Sequence, residues 1–417
     1  METIAVVGLG PAGLAIAHRA AMAGWAVTGY DPNPHWHHTI GVFLDELPDW
    51  ADNLPFESIS TPVVYLSDGT RVEIDREYGI LSAAGLQEQL TTFITVERAV
   101  DPASLLSRAD VVVDARGINH RELSQTDSGT GTSSGVSTPV YQLAWDSYGP
   151  LTGETVWMDF RGDPEMFTYS VPTAHGQLTE RTVLATAFPE RYPDNPDVVI
   201  PLNPPQWSPN SPLVQGAGIS ATEVELERRA AQSSHPSPRE IFEAALAGDL
   251  ETAAGRVAVL DTPPQTEHIP TAEELTVEAV LAELDKPATV ATRIGKMIPF
   301  GVRAGLINAI TGYSVATAFR LADPTLHALA AGGPLPWEGK SLGGDIDLNR
   351  KLLRALLSLD PQARRQVLEA TVQLPTDLQR KFLSLGSKRA TMQAMAKIYL
   401  TLPRPVRHQL RDAFQQA

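Results

Sequence analysis

Residues 4–31 read IAVVGLGPAGLAIAHRAAMAGWAVTGYD, a glycine series set between two apolar runs. The first run has the composition of a buried parallel strand, and an alanine-rich segment of helical character follows the glycines. Gly8 permits a tight turn, Gly10 lets the backbone approach a pyrophosphate, and Gly13 lets helix and strand pack closely. Asp31 ends the second strand, where a carboxylate accepts hydrogen bonds from an adenosine ribose. The stretch predicts a dinucleotide-binding βαβ unit; the alternative is a glycine-rich turn in an ordinary βαβ unit.

The composition is that of a globular protein with two or three lobes. The chain has 417 residues, of which 43% are hydrophobic and 20% are charged. It contains no cysteine, which excludes disulfides, thiolate zinc sites and a cysteine nucleophile. No uninterrupted apolar run reaches the roughly 18 residues that a membrane-spanning helix needs. The opening residues hold no basic-then-apolar signal segment, so we expect a cytosolic location.

The charge is unevenly distributed along the chain. The net charge of −16 argues against nucleic acid as a partner. From Lys340 to the end there are fourteen Lys and Arg but six Asp and Glu, so this tail is +8 and the rest of the chain −24. A basic helical tail on an acidic body predicts a surface for anionic lipid. A solvated helical face fits the charge equally well.

Apolar periodicity predicts an α/β protein with a Rossmann-like domain, an antiparallel sheet and a C-terminal helical region. Residues 110–117 predict another buried strand of the first domain, closed by Gly117. The remaining predicted elements are a hairpin at 63–74, a helix at 86–93, aromatic-rich strands at 155–161, 166–172 and 177–187, loops at 124–137 and 192–212, helices at 221–231, 238–247 and 271–284, and short helices between 348 and 410.

Two carboxylates, Glu180 and Asp159, lie within otherwise apolar strands of the predicted antiparallel sheet. They are candidates for acid–base chemistry at a cavity wall, although pairing with Arg181 and Arg161 on a sheet surface explains them equally well. Asp45 and Glu46 follow an apolar run. Both acids are therefore expected at the opening of the structure that this run helps to form. The histidine-rich loop at 35–38 lacks metal-ligand spacing and is expected to be a solvent-exposed loop.

A second glycine loop precedes an apolar helix near residue 311. Residues 296–321 read KMIPFGVRAGLINAITGYSVATAFRL, with Gly305 in the loop and Thr311 and Gly312 entering the helix. A loop that aims a helix N-terminus can hold an anion.

Together these segments resemble the flavin-dependent lycopene cyclases of the soluble type found in bacteria and plastids. The glycine loop at 8–15 resembles that family's nucleotide loop, and TIGVFLDEL at 39–47 resembles its segment with an Asp-Glu pair. VWMDFR at 156–161 is similar to a Met-Asp-aromatic-Arg strand. LTERT at 178–182 aligns with a stretch that usually reads Phe-Leu-Glu-Glu-Thr, and residues 300–315 resemble a flavin-facing loop.

The chain also departs from that pattern at identifiable positions. Phe43 stands where tryptophan is usual, Arg181 replaces the second glutamate, and Asn308-Ala309 stand where His-Pro is more common. An Ile-Pro-Met-Gly-Gly segment survives only as Ile-Pro-Thr at 269–271.

The resemblance implies a carotenoid cyclase, an isomerase that converts lycopene-type end groups into rings with reduced FAD and NADPH as its reductant. Glu180 falls on the essential acid, Asp45 or Glu46 would accept the final proton or tune that acid, and Asp159 joins the catalytic set. The implied FAD-binding residues are Gly8, Gly10, Gly13, Asp31, Gly117, Gly305, Thr311 and Gly312. The implied substrate-binding residues are Trp157, Phe160, Phe167 and Tyr169.

The implied organisation has three parts. An FAD-binding domain takes residues 1–123 and 290–325, a sheet domain with a helical insertion takes 138–289, and a basic helical region takes 326–417. Because acyclic carotenoids reside in the bilayer, the resemblance implies docking on the inner face of the cytoplasmic membrane. Two rival interpretations are a redox flavoenzyme of the same fold, such as a hydroxylase or prenyl reductase, and a carotenoid-binding homologue that has lost catalysis.

Overall fold

A computed structural model describes residues 2–36, 38–98, 102–117, 140–187, 192, 196–202 and 296–416. All of these residues belong to one compact unit. The loop predicted at 124–137 and the three helices predicted between 221 and 284 lie outside the described residues, as does the segment at 269–271. The division into three domains therefore stays a prediction.

The opening motif folds as predicted, into a parallel sheet with a helix against it. The five strands are β1 (Thr3–Val7), β2 (Ala26–Tyr30), β8 (Thr95–Glu97), β9 (Val111–Asp114) and β15 (Lys296–Pro299). Their order is β15-β9-β1-β2-β8, and every neighbouring pair is parallel. Helix α1 (Pro11–Met22) connects β1 to β2. The apolar strands are buried on both faces, as parallel strands usually are.

A small antiparallel sheet follows the first βαβ unit. It contains β3 (Ile40–Phe43), β4 (Phe56–Ser60) and β7 (Tyr78–Leu81) in the order β3-β7-β4. A 3-10 turn, Leu44–Glu46, continues directly from β3 and carries the two predicted acids. The predicted helix near 86–93 is α2 (Ala83–Thr91), and α3 (Pro102–Leu105) precedes β9.

The third sheet has seven strands and contains the predicted aromatic strands. They are β5 (Val63–Tyr65), β6 (Arg71–Glu73), β10 (Tyr141–Gly149), β11 (Val156–Asp159), β12 (Met166–Thr173), β13 (Gly176–Thr186) and β14 (Val198–Pro201). The order is β14-β10-β13-β12-β11-β5-β6, and only the β11–β5 pair is parallel. The loop predicted over 192–212 is wrong at Val198–Pro201, where an apolar run forms an edge strand along β10. An edge position tolerates the proline that ends it.

The C-terminal part is helical, as predicted. Its helices are α4 (Val315–Ala331), α5 (Leu342–Leu357), α6 (Pro361–Val372), α7 (Thr376–Leu383), α8 (Lys388–Thr401) and α9 (Arg404–Gln416). Asp360 caps α6 through the Ala363 N–H at 2.8 Å, and Ser387 caps α8. Among the described residues no helix is both long enough and apolar enough to span a bilayer.

Two apolar cores hold these layers together. One packs α1 and α4 against the parallel sheet, with Ile16 and Phe319 fully buried at its centre. The other packs the seven-stranded sheet against the small sheet and helices α5 to α9, and it includes Trp157, Phe167 and Leu352. The predicted fold class, an α/β protein with a Rossmann-like sheet, an antiparallel sheet and C-terminal helices, is confirmed.

Candidate active site

The glycine loop between β1 and α1 is packed so tightly that side chains are excluded at two positions. Gly8 has a left-handed φ of 89°, and a Cβ atom there would lie 2.6 Å from Cα of Arg116. A Cβ atom at Gly13 would lie 1.8 Å from the Gly8 carbonyl oxygen. Only glycine at both positions lets α1 begin directly against the ends of β1 and β9.

Gly10, in contrast, faces open space. Among the described residues no atom lies within 4 Å of a Cβ atom built there. Gly10 is the N-cap of α1, and no side chain of the described part of the chain caps the helix at this end. Free N–H groups and the helix dipole favour an anion at this position. The geometry therefore fits a phosphate group.

Asp31 lies beside the glycine loop at the end of β2. Its carboxylate accepts hydrogen bonds from the Leu9 N–H at 2.6 Å and the Asn33 N–H at 2.9 Å. Burial raises its pKa, and these two hydrogen bonds oppose that effect. The indole of Trp36 donates to the Leu9 carbonyl at 3.1 Å and is partly buried. The 35–38 segment is therefore not wholly a solvent-exposed loop, because Trp36 covers the glycine loop.

Two more predicted cofactor residues meet at this end of the parallel sheet. Arg303 donates from Nη2 to the Gly117 carbonyl at 3.1 Å and from Nε to the Arg116 carbonyl at 3.2 Å. Arg303 lies in a 3-10 turn, Gly301–Ala304, which follows β15 and ends at Gly305 with a left-handed φ of 75°. Gly117 and the turn before Gly305 thus share the sheet end at which the glycine loop lies.

Thr311 and Gly312 form a closed turn instead of the start of a helix. The Gly312 N–H donates to the Asn308 carbonyl at 2.8 Å, and the Thr311 N–H donates to the Asn308 side chain at 3.2 Å. A Cβ atom at Gly312 would lie 2.6 Å from Oε1 of Gln142. The expected helix entry is therefore wrong: α4 begins at Val315, and the N–H groups of Thr311 and Gly312 are already occupied.

Glu180 lies on the inner face of the seven-stranded sheet, the face that packs against the C-terminal helices. Its Oε1 accepts a hydrogen bond from the Thr182 hydroxyl at 2.6 Å. Burial raises the pKa of Glu180 to about 7, a rise that the Thr182 bond opposes and the nearby Asp146 carboxyl reinforces. Arg181 points to the other face, where it lies over the Trp145 ring at 6.0 Å, so it does not neutralise Glu180.

Aromatic side chains line the same inner face. Tyr169 is the cross-strand partner of Glu180, and its hydroxyl lies 3.2 Å from that of Tyr78. The Tyr78 hydroxyl lies 3.3 Å from that of Tyr313, which also accepts a hydrogen bond from the Trp157 indole. The rings of Trp157 and Tyr313 are stacked with an interplanar angle of 7°. We call these four residues the tyrosine–tryptophan cluster.

Phe160 and Phe167 belong to the same core, with their ring centroids 6.1 Å apart. Phe167 pairs with Thr182 across the sheet, so it shares the Glu180 face. All four predicted substrate-binding aromatics are therefore brought to one side of the sheet. Burial raises the pKa of Tyr78, Tyr169 and Tyr313 well above the usual value, so all three hydroxyls stay protonated.

Asp45 and Glu46 are both bound by one buried arginine. Nη2 of Arg76 lies 2.6 Å from Oδ1 of Asp45 and 2.6 Å from Oε1 of Glu46. The Arg76 side chain is 1% exposed, and its guanidinium lies 3.8 Å above the Phe43 ring. Phe43 in turn packs edge-on against Tyr78 and Trp157. The two acids therefore support the tyrosine–tryptophan cluster from behind, as ion-paired carboxylates.

Asp159 has surroundings opposite to those of Glu180. Its carboxylate is paired with Arg161 at 2.6 Å. Burial opposes ionisation, but the hydrogen bonds and charge of Arg161 outweigh it and lower the Asp159 pKa. The pairing of β11 with β12 shifts between Val156 and Asp159, so the alternation of side chains is broken there. This explains how Trp157 lies in the core while Asp159, two positions on, pairs with a half-exposed arginine.

Sequence reasoning missed Asp146, Tyr78, Arg76 and Tyr313 as site residues. No local motif contains Tyr78 or Arg76, since β7 and the bend before it lie far from β13 along the chain. Asp146 could be recognised as a site residue only from the register of β10 against β13. Tyr313 was visible only as the residue after Gly312.

Comparison with known proteins confirms the resemblance predicted from the sequence. Residues 3–190, which include Glu180, match the family model described as lycopene cyclase protein. The chain is 25% identical to the chloroplastic lycopene beta cyclase of Arabidopsis thaliana over 414 residues, covering 91% of this chain and 70% of that protein. It is 40% identical to the Nicotiana tabacum enzyme over 91 residues, which covers 21% of this chain and only 18% of that protein.

Among solved structures, a geranylgeranyl bacteriochlorophyll reductase-like protein from Thermoplasma acidophilum is similar at 14% identity and a TM-score of 0.44. That match covers 99% of this chain and 100% of that one. The structure of CtdE in complex with FAD and a substrate is similar at 13% identity and a TM-score of 0.28, covering 44% of this chain and 57% of that one.

Proposed function

We propose that this chain is a flavin-dependent carotenoid cyclase that converts the acyclic end groups of lycopene into rings, giving γ- or β-carotene without net oxidation. The observation that carries the proposal is Glu180, a carboxyl group with a pKa raised to about 7 and aromatic side chains around it. The match of residues 3–190 to the lycopene cyclase family supports the same conclusion.

The reaction needs an acid that is still protonated near neutral pH. Ring formation starts when a proton is added to a terminal trisubstituted alkene, and an internal double bond captures the resulting tertiary cation. A ring proton is then lost, so the product is an isomer of the substrate. Burial in an apolar environment is the usual way to keep a carboxyl group protonated at this pH. Cyclisation should therefore slow as the pH rises through about 7.

The carbocation needs π faces and negative charge close to it. Tyr169 lies beside Glu180 on the sheet, and Trp157 stacks on Tyr313 in the tyrosine–tryptophan cluster. Aromatic faces attract cations most strongly when water is excluded. Trp157 and Phe160 are each only 1% exposed, so water is excluded from these rings.

The glycine loop fits FAD. Gly10 leaves room at the N-terminus of α1 for a pyrophosphate, and Asp31 lies where a ribose would be held. Gly117 and Gly305 lie at the same end of the parallel sheet. Bound in its reduced form, for which NADPH is the proposed electron source, the flavin would supply negative charge near the carbocation.

We propose that the C-terminal helices collect the substrate at the inner face of the cytoplasmic membrane. On α8, Met392 and Leu400 are 54% and 68% exposed, and Ala396 continues the same stripe between them. Lys388 and Arg389 flank this stripe and line an open cleft of about 610 Å³. Apolar side chains among basic ones suit an anionic lipid surface.

Product analysis under anaerobic conditions with reduced flavin tests the proposed function. A cyclase needs no oxygen and yields a pigment with the mass of its substrate but ringed end groups. A product that has gained oxygen would indicate a hydroxylase, and one that has gained hydrogen a reductase. Retained flavin with unchanged lycopene would indicate a carotenoid-binding protein.

A further inference from the structure

Asp146 and Glu180 face each other across two neighbouring strands. β10 and β13 are antiparallel, and their register places Asp146 directly opposite Glu180. Directly opposed residues have their Cβ atoms about 5 Å apart and point to the same face of the sheet. The two carboxyl groups are close enough for each to shift the pKa of the other. Because a carboxylate cannot donate, a hydrogen bond between the two groups requires a proton on one of them.

Among the described residues, no cation is paired with Asp146 or Glu180. In the part of the chain that the structure describes, no ion pair involves Asp146 or Glu180, and the nearest arginine along β13, Arg181, points to the other face. Oδ1 of Asp146 is buried and has no hydrogen-bond partner among the described residues. Two ionised carboxylates in this arrangement would repel each other strongly, as in other carboxyl dyads.

We propose that Asp146 and Glu180 form a carboxyl pair that shares one proton, and that Asp146 positions this proton on Glu180. Asp146 is thus a positioning residue for the acid of the proposed cyclisation. This inference rests on the proposed function for its role, whereas the pairing of the two carboxyl groups rests on the cross-strand geometry.

The groups around the pair favour retention of the proton. Asp197 accepts a hydrogen bond from the Asp146 N–H, and burial together with the Asp197 charge raises the Asp146 pKa to about 6. Tyr169 and Tyr78 face Glu180, and Tyr148 lies near Asp146; burial raises the pKa of each of these hydroxyls. These described neighbours of the pair are thus acidic or neutral in character.

The proton balance is simple. The shared proton passes from the pair to an alkene carbon of the substrate, and the pair is left as two carboxylates. This doubled negative charge lies on the Tyr169 side of the sheet and favours the carbocation. Loss of one ring proton to the protein at the end restores the balance, and no oxidant or reductant is consumed.

Infrared titration of the full-length protein tests the pair without any assay of activity. The C=O stretching band of a protonated carboxyl group should persist to about pH 7 in the wild type. In Asp146→Asn the midpoint of the Glu180 band should fall by about one pH unit, because a neighbouring negative charge is removed. It should stay above the usual 4.5, since burial, the largest cause, remains. Glu165→Gln, in an exposed turn beside β12, is the control and should change nothing.

A second variant tests the pair from the other side, through the titration midpoint of Asp146. In Glu180→Leu the Asp146 midpoint should rise above about 6, because the variant loses the Glu180 hydrogen bond that lowers the Asp146 pKa. Unchanged midpoints in both variants would overturn the pair. Shifted midpoints in a protein that converts no acyclic carotene would establish the pair and reject the proposed function, so the two failures are distinguishable.

Discussion

At the residue scale, surroundings separate carboxyl groups that look alike in the sequence. Glu180 lies in an apolar layer with one hydroxyl partner, and its pKa rises to about 7. Glu46 is buried too, but Arg76 lies 2.6 Å from its carboxylate. Asp159 pairs with Arg161, which lowers its pKa. Of the predicted acids described here, Glu180 is the one suited to donate a proton at neutral pH.

The raised pKa of Glu180 predicts a pH-dependent stability. Folded Glu180 binds a proton at pH values where the unfolded chain has already lost it, so the free energy of unfolding falls as the pH rises from 4.5 to about 7. Glu180→Gln removes this effect and should raise the free energy of unfolding at pH 8 by about 1–3 kcal/mol over the wild type. Urea unfolding at pH 4 and pH 8 measures it. A variant less stable than the wild type at pH 8 would contradict the assigned burial.

Alanine substitutions at two positions of the glycine loop should have different effects. Gly13→Ala should lower the unfolding midpoint and abolish flavin binding, because its Cβ atom would lie 1.8 Å from the Gly8 carbonyl oxygen. Gly10→Ala should leave the unfolding midpoint unchanged and weaken flavin binding alone, since open space surrounds that Cβ atom and φ is −65°. Flavin absorbance after gel filtration and thermal unfolding separate the two effects. Equal flavin retention in Gly10→Ala and the wild type would argue against the phosphate position.

At the element scale, the ion cluster on Arg76 joins the small sheet to the core beneath it. Arg76 contacts the 3-10 turn after β3 through Asp45 and Glu46, and it also reaches the Gln379 side chain of α7 at 3.5 Å. Its guanidinium covers Phe43, which supports Tyr78 and Trp157. One buried side chain thus holds three elements in place around the tyrosine–tryptophan cluster.

Arg76→Leu should destabilise the protein by about 3 kcal/mol, because it leaves the buried Glu46 carboxylate without a partner. Arg71→Leu is the matched control: Arg71 is 47% exposed in its pair with Glu154, and its loss should leave the free energy of unfolding nearly unchanged. Urea unfolding at pH 7 measures both. Equal losses in the two variants would show that the Arg76 cluster contributes no more than a surface ion pair.

Much of this element arrangement could be predicted from the sequence, and the exceptions have physical causes. Strong local patterns predicted β1, α1, β9 and the proline-punctuated helices. The strand Val198–Pro201 was missed because its pairing with β10 decides it, against a loop-like composition around it. Asp146 was missed because register between distant strands is not encoded locally. The different surroundings of Trp157 and Asp159 could not be predicted either, because the shifted pairing of β11 is also not encoded locally.

At the scale of the whole molecule, the basic end of the sequence forms a basic surface. The basic excess from Lys340 onward lies on helices α5 to α9, and α8 presents an exposed apolar stripe among its lysines and arginines. The same helices cover the inner face of the sheet that carries Glu180. A substrate taken from a membrane at α8 would therefore enter on the side of the molecule where the acid lies.

Liposome flotation tests the docking surface. Binding to anionic vesicles should weaken with salt, and Met392→Asp with Leu400→Asp should abolish most of it, because both apolar side chains are exposed beside basic ones. Phe93→Asp, which replaces a side chain 64% exposed in the turn after α2, is the control and should float like the wild type. Wild-type protein that fails to float, or floats regardless of salt, would reject this surface as the docking site.

The most direct test of the central claim is ring formation by Glu180→Gln beside Glu165→Gln in a lycopene-accumulating bacterium, with the mass and spectrum of the pigments recorded. We predict that Glu165→Gln gives wild-type yields of cyclised product. Glu180→Gln should give none while the purified protein keeps its flavin, because glutamine preserves the shape and has no acidic proton to give. An undiminished yield of cyclised carotene from Glu180→Gln would contradict the role of Glu180 as the acid.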